Sequence, residues 1–314
     1  MTASATSVAY FGPAGTFTEQ ALLTQPDYAA AERYPLPTII DVLEAVQSGR
    51  VDLGFVPIEN GIEGTVPITL DGLVFDFDLL IQREVVLDIH LALMANKDTK
   101  LSEVTSVLSF PHALAQCRKF LAARIPQAEG VAAQSTAEAA RVLGENPDSS
   151  VAVIAPRSAA DFYGLVVLAE EIEDHPENQT RFVAVAKSGI PRPTAHDHTS
   201  IVCFQRADHP GSLHSIVGQF SSRDLNLTKL ESRPTKRGLG DYCFVIDLEG
   251  HIADEVVADC LRDLHATQAR VKLLGSYPAA GNHGLGTRVE GERSWRQADQ
   301  WVRSLRSQIS EDGA

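Results

Sequence analysis

The chain has 314 residues, 44% hydrophobic and 22% charged, enough for two or three domains of ordinary globular composition. Lys plus Arg number 27 against 41 Asp plus Glu, a formal net charge of −14 that argues against a general nucleic-acid binder, which needs a basic face to neutralise phosphates. No stretch approaches the roughly 20 apolar residues of a membrane span; the longest, VVLDIHLALMA, is interrupted by Asp88 and His90.

The opening MTASATSVAYFG has neither a basic stretch nor a long apolar run, so no secretory signal is expected. VAYFG (8–12) reads as a strand, followed by helices from Thr16 to about Thr24 and from Thr38 to Ser48, the second closed by Gly49. LGFVPI (53–58) reads as a buried strand and EVVLDIHLALMA (84–95) as one long, partly alternating strand. SVLSF (106–110) leads into a helix over 112–124, GVAAQ (130–134) into one over 136–144, and VAVIA (151–155) into a short helix, with FVAVAK (182–187) closing the series. Such alternation predicts parallel α/β sheets.

KSGIPRPTAHDH (187–198) carries two prolines and a glycine without apolar periodicity and reads as a linker, with His196 and His198 solvated. Beyond it the pattern changes. TSIVCFQR (199–206) is a strand, SLHSIVGQFSSRD (212–224) a helix, and NLTKLESR (226–233) and YCFVIDLEG (242–250) are strands. Asp254 to Ala266 is a helix and RVKLLGSYP (270–278) a final strand, which completes the βαββαβ order of a ferredoxin-like domain. After a Gly-rich stretch, Trp295, Ala298, Trp301, Val302, Leu305 and Ile309 recur at helical spacing, a face for packing on the body of the protein or on a second subunit. Arg293, Arg296, Arg303 and Arg306 read as its solvated side.

Four cysteines, Cys117, Cys203, Cys243 and Cys260, lie in apolar contexts without a C-x-x-C pair and read as buried reduced thiols of a cytosolic protein. FGPAGTF lacks the G-x-G-x-x-G dinucleotide fingerprint and no P-loop Lys follows it. The ten histidines show no metal-ligand spacing and no G-x-S-x-G elbow is present, so no nucleotide or metal is expected.

Thr16 with Glu19, and Ser135 with Glu138, form S/T-x-x-E boxes at strand–helix junctions. Plain capping explains either one; helix starts at that place in open α/β folds also line the ligand crevice and favour anions. PIENGIEGTV sets Glu59, Asn60, Gly64 and Thr65 after a buried strand, as a pocket rim or a tight turn. SFPHALAQC puts Ser109 at a strand end and Gln116 in the helix that follows. NQTRFVAVAK places a hydroxyl, Thr180, beside a guanidinium, Arg181, at a strand entry: a place to hold an anion and donate a proton, or a capped strand edge.

GPAGTFTEQAL, PIENGIEGTV, NQTRF, GSL and ESRP, in this order over residues 8–278, resemble the prephenate dehydratase family with a C-terminal ACT domain. The resemblance implies a two-lobed catalytic region over 1–190, like a periplasmic binding protein, with lobe one at about 1–77 and 178–190 and lobe two at about 78–177. It implies an ACT domain at 199–278 and leaves a helical tail at 279–314. A fused chorismate mutase is not expected, since the first motif begins by residue 10. The activity implied is decarboxylative dehydration of prephenate to phenylpyruvate, without a cofactor, in a cytoplasmic enzyme of phenylalanine biosynthesis.

By the same resemblance Thr180 serves the leaving hydroxyl. Asn60, Ser109, Gln116 and Glu59 orient substrate or take part in the chemistry, and Arg181, Thr16, Thr65, Ser135, Thr136 and Phe182 bind it. Gly211, Ser212, Leu213, Asn226, Leu227, Glu231 and Ser232 would form an inhibitory L-phenylalanine site in a homodimer or homotetramer. One departure stands out: where the family often reads S-H-P-Q, this chain has Ser109-Phe110-Pro111-His112, and neither Phe110 nor His112 is given a catalytic role. The family's S-A-A segment is matched loosely by Arg157-Ser158-Ala159-Ala160. Two rivals remain open on sequence alone, a non-catalytic amino-acid sensor and arogenate dehydratase.

Overall fold

The computed structural model describes residues 7–194, 196–205, 210–236, 238, 240–268, 270–281 and 288–308, which fall into two compact units. The first comprises the chain up to Phe77 and Val85–Lys187; the second comprises Asp78–Glu84 and everything from Ser188.

The first unit opens with β1 (Ser7–Phe11), α1 (Phe17–Leu23), α2 (Pro26–Ala29), β2 (Glu32–Leu36), α3 (Ile39–Gln47), β3 (Leu53–Asn60), β4 (Gly64–Thr65) and α4 (Pro67–Asp71). β5 (Leu80–Asp88) contributes its second half to this unit. Then come β6 (Ala92–Ala95), β7 (Ser106–Ser109), α5 (Pro111–Gln116), α6 (Arg118–Arg124), β8 (Glu129–Ala132), α7 (Thr136–Glu145), β9 (Val151–Ala155), α8 (Ser158–Tyr163) and β10 (Val166–Ala169). The chain returns through β11 (Gln179–Ala186).

Two sheets result, one per lobe. The first runs β5-β11-β3-β1-β2, with β4 paired to β3; the second runs β10-β6-β9-β7-β8. β1 is parallel to β2 and β3, but β11 returns antiparallel to β3. In the second sheet β7 is parallel to β8 and β9, whereas β6 is antiparallel to β9 and β10. The expectation of parallel sheets is therefore corrected: both are mixed, because a chain that leaves one lobe and comes back must re-enter against the existing strand direction.

Each lobe has its own core. Val8, Tyr10, Leu22, Phe55 and Phe182 pack in the first, and Phe55 and Phe182 stack with centroids 5.7 Å apart. Leu93, Val107, Ala152 and Ile154 pack on one face of the second sheet, and Met94, Ala140 and Val153 on the other. Gly54 lets α3 approach β3: a Cβ there would lie 2.9 Å from the side chains of Val42 and Val46.

The long strand expected over 84–95 is two strands in different sheets, β5 and β6, so lobe two begins after β5 and not near residue 78. The single helix expected over 112–124 is α5 and α6, broken at Cys117, whose backbone is not helical. Asp174 holds the break from a distant loop: its N–H donates to the Gln116 carbonyl at 2.6 Å and its carboxylate accepts from Lys119 N at 3.1 Å.

The second unit contains β12 (Asp197–Phe204), α9 (Ser212–Ser221), β13 (Leu227–Pro234), β14 (Tyr242–Glu249), α10 (Glu255–Thr267), β15 (Arg270–Pro278) and α11 (Arg288–Arg306). The strands run β13-β14-β12-β15, all antiparallel, which is the ferredoxin-like order, and Ile81 of β5 pairs with Gly275 of β15. Ile201, Phe220, Ile246, Val257 and Leu264 fill its core. His198 lies within β12, not in a solvated linker, and its ring meets the buried Glu84 carboxylate at 3.3 Å. On α11, Trp295 and Val302 are half-buried, but Trp301 is 63% and Leu305 44% exposed, so the expected apolar face is only partly covered. Ile309 and the side chains of Arg293 and Arg296 lie outside the described residues.

Candidate active site

β3 and β11 run antiparallel with Asn60 opposite Thr180 and Glu59 opposite Arg181, and a register irregularity follows Arg181. That pairing brings two distant sequence motifs together. Asn60 Nδ2 donates to Thr180 Oγ1 at 2.8 Å, and Arg181 Nη2 meets Glu59 Oε2 at 3.0 Å. Thr180 is buried, and Arg181 keeps 15% of its side chain exposed. A short hydroxyl and a cation thus occupy consecutive positions at a sheet end, each held by its own partner on β3.

Asn60 also reaches Asn178 Oδ1 at 3.0 Å, and Asn178 Nδ2 donates to Gln116 Oε1 at 3.2 Å. Gln116 sits at the end of α5, in lobe two, so a line of hydrogen bonds crosses between the lobes. Asn178 was not singled out from sequence, although it opens the NQTRF motif; it is 2% exposed, the burial of a committed polar group. Nearby, His112 Nδ1 lies 2.9 Å from Glu63 Oε1, a second link between the lobes, and the His112 ring lies 5.3 Å from that of Phe110.

Thr16 and Ser135 are the N-caps of α1 and α7, each accepting the backbone N–H three residues on, at 3.3 and 3.0 Å. Neither box closes reciprocally. Glu19 turns to Gly15 N at 2.7 Å and Tyr10 Oη at 2.9 Å, and Glu138 is held by Arg141. Burial first, then the Glu19 carboxylate, pushes the Tyr10 hydroxyl well above its usual range and keeps it a donor. Tyr163 of lobe two donates to the Ala14 carbonyl at 2.9 Å, which fixes the loop before Thr16. Beside this loop lies a cleft of about 440 Å³ lined by Gly12, Pro13, Pro35, Gln134 and Ser135 among others; Thr180 does not line it. Thr136 is the first residue of α7 and Thr65 pairs with Glu59 in β4, both half-buried.

Two expected residues are placed otherwise. Ser109 is fully buried and donates to the Ile154 carbonyl at 2.6 Å, so its proton is spent on the sheet. Phe182 is 2% exposed and stacked on Phe55 in the core of its lobe, which corrects its assignment to substrate.

In the second unit, Gly211 caps α9 in a left-handed conformation with Ser212 and Leu213 in the first turn. Asn226 and Leu227 lie past the other end of α9, beside a cavity of about 360 Å³ lined by Phe220 and Leu225 among others. Eight further helical residues, about 12 Å, lie between Leu213 and the end of α9 that precedes Asn226. Glu231 and Ser232, adjacent on β13, point to opposite faces; Glu231 is flanked by Lys229 and Arg233, each at 3.6 Å. All four cysteines are buried and none forms a disulfide; burial pushes Cys117, Cys203 and Cys260 up to about 12. Among the described residues no helix is long and apolar enough to cross a membrane, and no cluster of metal-ligating side chains occurs.

Residues 8–189 match the family model for prephenate dehydratase and residues 199–266 that for the ACT domain. A prephenate dehydratase of Mycolicibacterium vanbaalenii is 42% identical over 287 residues, covering 86% of this chain and 90% of its own length. One of Amycolatopsis methanolica is 39% identical over 305 residues, 95% of this chain and 97% of the relative. The crystal structure of prephenate dehydratase in complex with L-Phe from Arthrobacter aurescens has a TM-score of 0.88 and 38% identity, covering 96% of this chain and 99% of that one.

Proposed function

The chain belongs to the prephenate dehydratase family with a C-terminal ACT domain, and from that membership we propose how its residues divide the reaction. Prephenate becomes phenylpyruvate, CO2 and water. The bond from the ring to its carboxylate breaks, the electron pair enters the ring as it becomes aromatic, and the ring hydroxyl departs with one proton as water. Aromatisation drives the reaction, so the protein's task is to hold a dianion and to stabilise a poor leaving group.

Thr180 is the hydrogen-bond donor to the departing oxygen. A threonine hydroxyl is far too weak an acid to ionise near neutrality, so it acts by donating a hydrogen bond or relaying a proton. The observation that carries this reading is the bond from Asn60 Nδ2 to Thr180 Oγ1 at 2.8 Å, which fixes the hydroxyl as an acceptor from Asn60 and leaves its proton to be directed elsewhere. Arg181 takes a substrate carboxylate, with Glu59 holding its guanidinium in place. Thr16, Thr65, Ser135 and Thr136 offer short polar contacts to the carboxylates, and Gln116 faces the ring substituents from lobe two. Ser109, its proton committed, is left as an acceptor or a structural group. The catalytic region takes in residues 1–190, the ACT domain 199–278 and the tail 279–314.

L-phenylalanine inhibits through the ACT domain by preferring a less active arrangement, since a ligand shifts an equilibrium only by its differential affinity. Because Gly211–Leu213 and Asn226–Leu227 stand at opposite ends of α9, a pocket that uses both sets draws them from two protomers. This supports a homodimer, or a dimer of dimers. The buried thiols favour a cytoplasmic location.

The test is turnover of prephenate by wild type and by Thr180→Ala. Wild type releases phenylpyruvate, and the folded variant loses roughly 100-fold or more in kcat, the range for a lost proton donor. Prephenate bound without turnover by wild type would favour a sensor, and turnover of arogenate alone would move the substrate assignment.

A further inference from the structure

The amide of Asn60 has only one possible orientation. Its Oδ1 accepts the backbone N–H groups of Ile62 and Glu63, both at 3.0 Å, and only a carbonyl oxygen can accept two such donors. Nδ2 therefore faces Asn178 Oδ1 at 3.0 Å, the Gln179 carbonyl at 3.2 Å and Thr180 Oγ1 at 2.8 Å. Thr180 must accept this bond, so its own proton is directed elsewhere. The same logic passes through Asn178. With Oδ1 accepting from Asn60, its Nδ2 is the donor to Gln116 Oε1 at 3.2 Å, and Gln116 is left with Nε2 as the end it can present to a ligand.

A polarity set by a backbone turn in lobe one thus runs through one buried amide to lobe two. At both ends it turns a donor outward, the Thr180 hydroxyl and the Gln116 amide. A substrate whose reacting groups are a leaving hydroxyl and two carboxylates presents oxygens that need donors. Asn178 itself is 2% exposed, and its backbone is pinned at both groups, N to the His175 carbonyl at 3.2 Å and O from Ile89 N at 2.8 Å.

We infer that Asn178 is a positioning residue of the reaction: it sets the hydrogen-bond polarity that makes Thr180 and Gln116 donors towards the substrate. The inference rests on the reading of Thr180 and Gln116 given above.

The test is Asn178→Asp against Asn178→Ala and wild type, with kcat and KM followed from pH 5 to 9. As a carboxylate, the aspartate accepts from Asn60 but opposes Gln116 Oε1 and forces that amide to turn its oxygen outward. When protonated, its O–H donates to Gln116 Oε1 and the original polarity returns. The expected result is kcat about tenfold or more below wild type at high pH, with KM changed far less, the cost of a misdirected hydrogen bond. The loss recovers as pH falls, and Asn178→Ala is low throughout. Glu59, Glu63, Asp88, His112, Asp174, His175, Glu177 and Arg181 surround this line of hydrogen bonds and are common to all three proteins, so only a limb unique to Asn178→Asp counts. Should that variant not fold, Gln116→Glu asks the same question: its carboxylate accepts from Asn178 but offers no donor until protonated, and it shows the same low-pH recovery. A folded variant of either kind with wild-type kcat at all pH values, or one equally impaired at all of them, overturns the proposal. Wild type inert towards prephenate would overturn the assigned activity, and this inference with it.

Discussion

Arg181 meets Glu59 at 3.0 Å with 15% of its side chain exposed, so the cation is held by one carboxylate while still reachable by another. A planar fork binds a carboxylate bidentately and an ammonium does not. Arg181→Lys is expected to raise KM for prephenate by roughly 10- to 100-fold with a smaller change in kcat, because binding of an unreacting carboxylate is uniform between ground and transition states; steady-state kinetics decide it. A second residue-scale expectation concerns pH. His90 Nδ1 lies 2.8 Å from the Glu173 carboxylate, which is 1% exposed and also accepts from Leu91 N. The hydrogen bond to Glu173 raises the imidazole above its usual value. A raised folded-state value means that the stability is fully present below the ordinary imidazole range and is lost as pH rises through the raised one. Half the His90 side chain is exposed, so the pair contributes only about 0.5–1 kcal/mol. His90→Gln should therefore lower the melting temperature at pH 5.5 and leave it nearly unchanged at pH 9; equal losses at both would refute the ion pair.

At the scale of elements, what was legible depended on whether the signal was local. Thr16, Thr38 and Ser135 announce helix starts by their own chemistry, and each caps as expected. β2 was missed because ERYPL contains Pro35, which demotes a strand reading; it survives as the edge of its sheet, where a missing N–H costs little. The break at Cys117 was invisible for a different reason: residues 112–124 are locally helical, and the partner that ends α5 and starts α6 is Asp174, far along the chain. The place of Phe182 is not legible in its motif because the ring it stacks on, Phe55, is distant in sequence. Asn178 was overlooked because its role exists only once β3, β11 and α5 are assembled. If Asp174 holds the helix break, Asp174→Ala should cost about 1–2 kcal/mol, the scale of a lost N-cap, and lower the melting temperature by about 2–4 °C per kcal/mol. Calorimetry showing no change would mean that the break is intrinsic to Cys117.

At the scale of the whole molecule, the βαββαβ pattern of the second unit was readable because β12 to β15 pair antiparallel and the helices between them are local in sequence. What the pattern could not give is what lies beyond the sheet. Among the described residues β13 ends the strand order, and Leu230 on it is 45% exposed. A long edge strand with apolar side chains invites pairing unless it is covered. Gly211–Leu213 and Asn226–Leu227 of the expected phenylalanine site also stand about 12 Å apart along α9, a long reach for one small ligand in one protomer. Both observations are met at once if two ACT domains associate along this edge. Leu230→Asp should then shift the sedimenting species to a smaller one and abolish inhibition by L-phenylalanine, while prephenate turnover without effector persists, since Leu230 belongs to the regulatory unit. The coupling is the point of the experiment. A variant that becomes smaller yet stays sensitive to L-phenylalanine would place the effector site within a single protomer. A variant that keeps both its size and its sensitivity would show that this edge is covered by something other than a second copy.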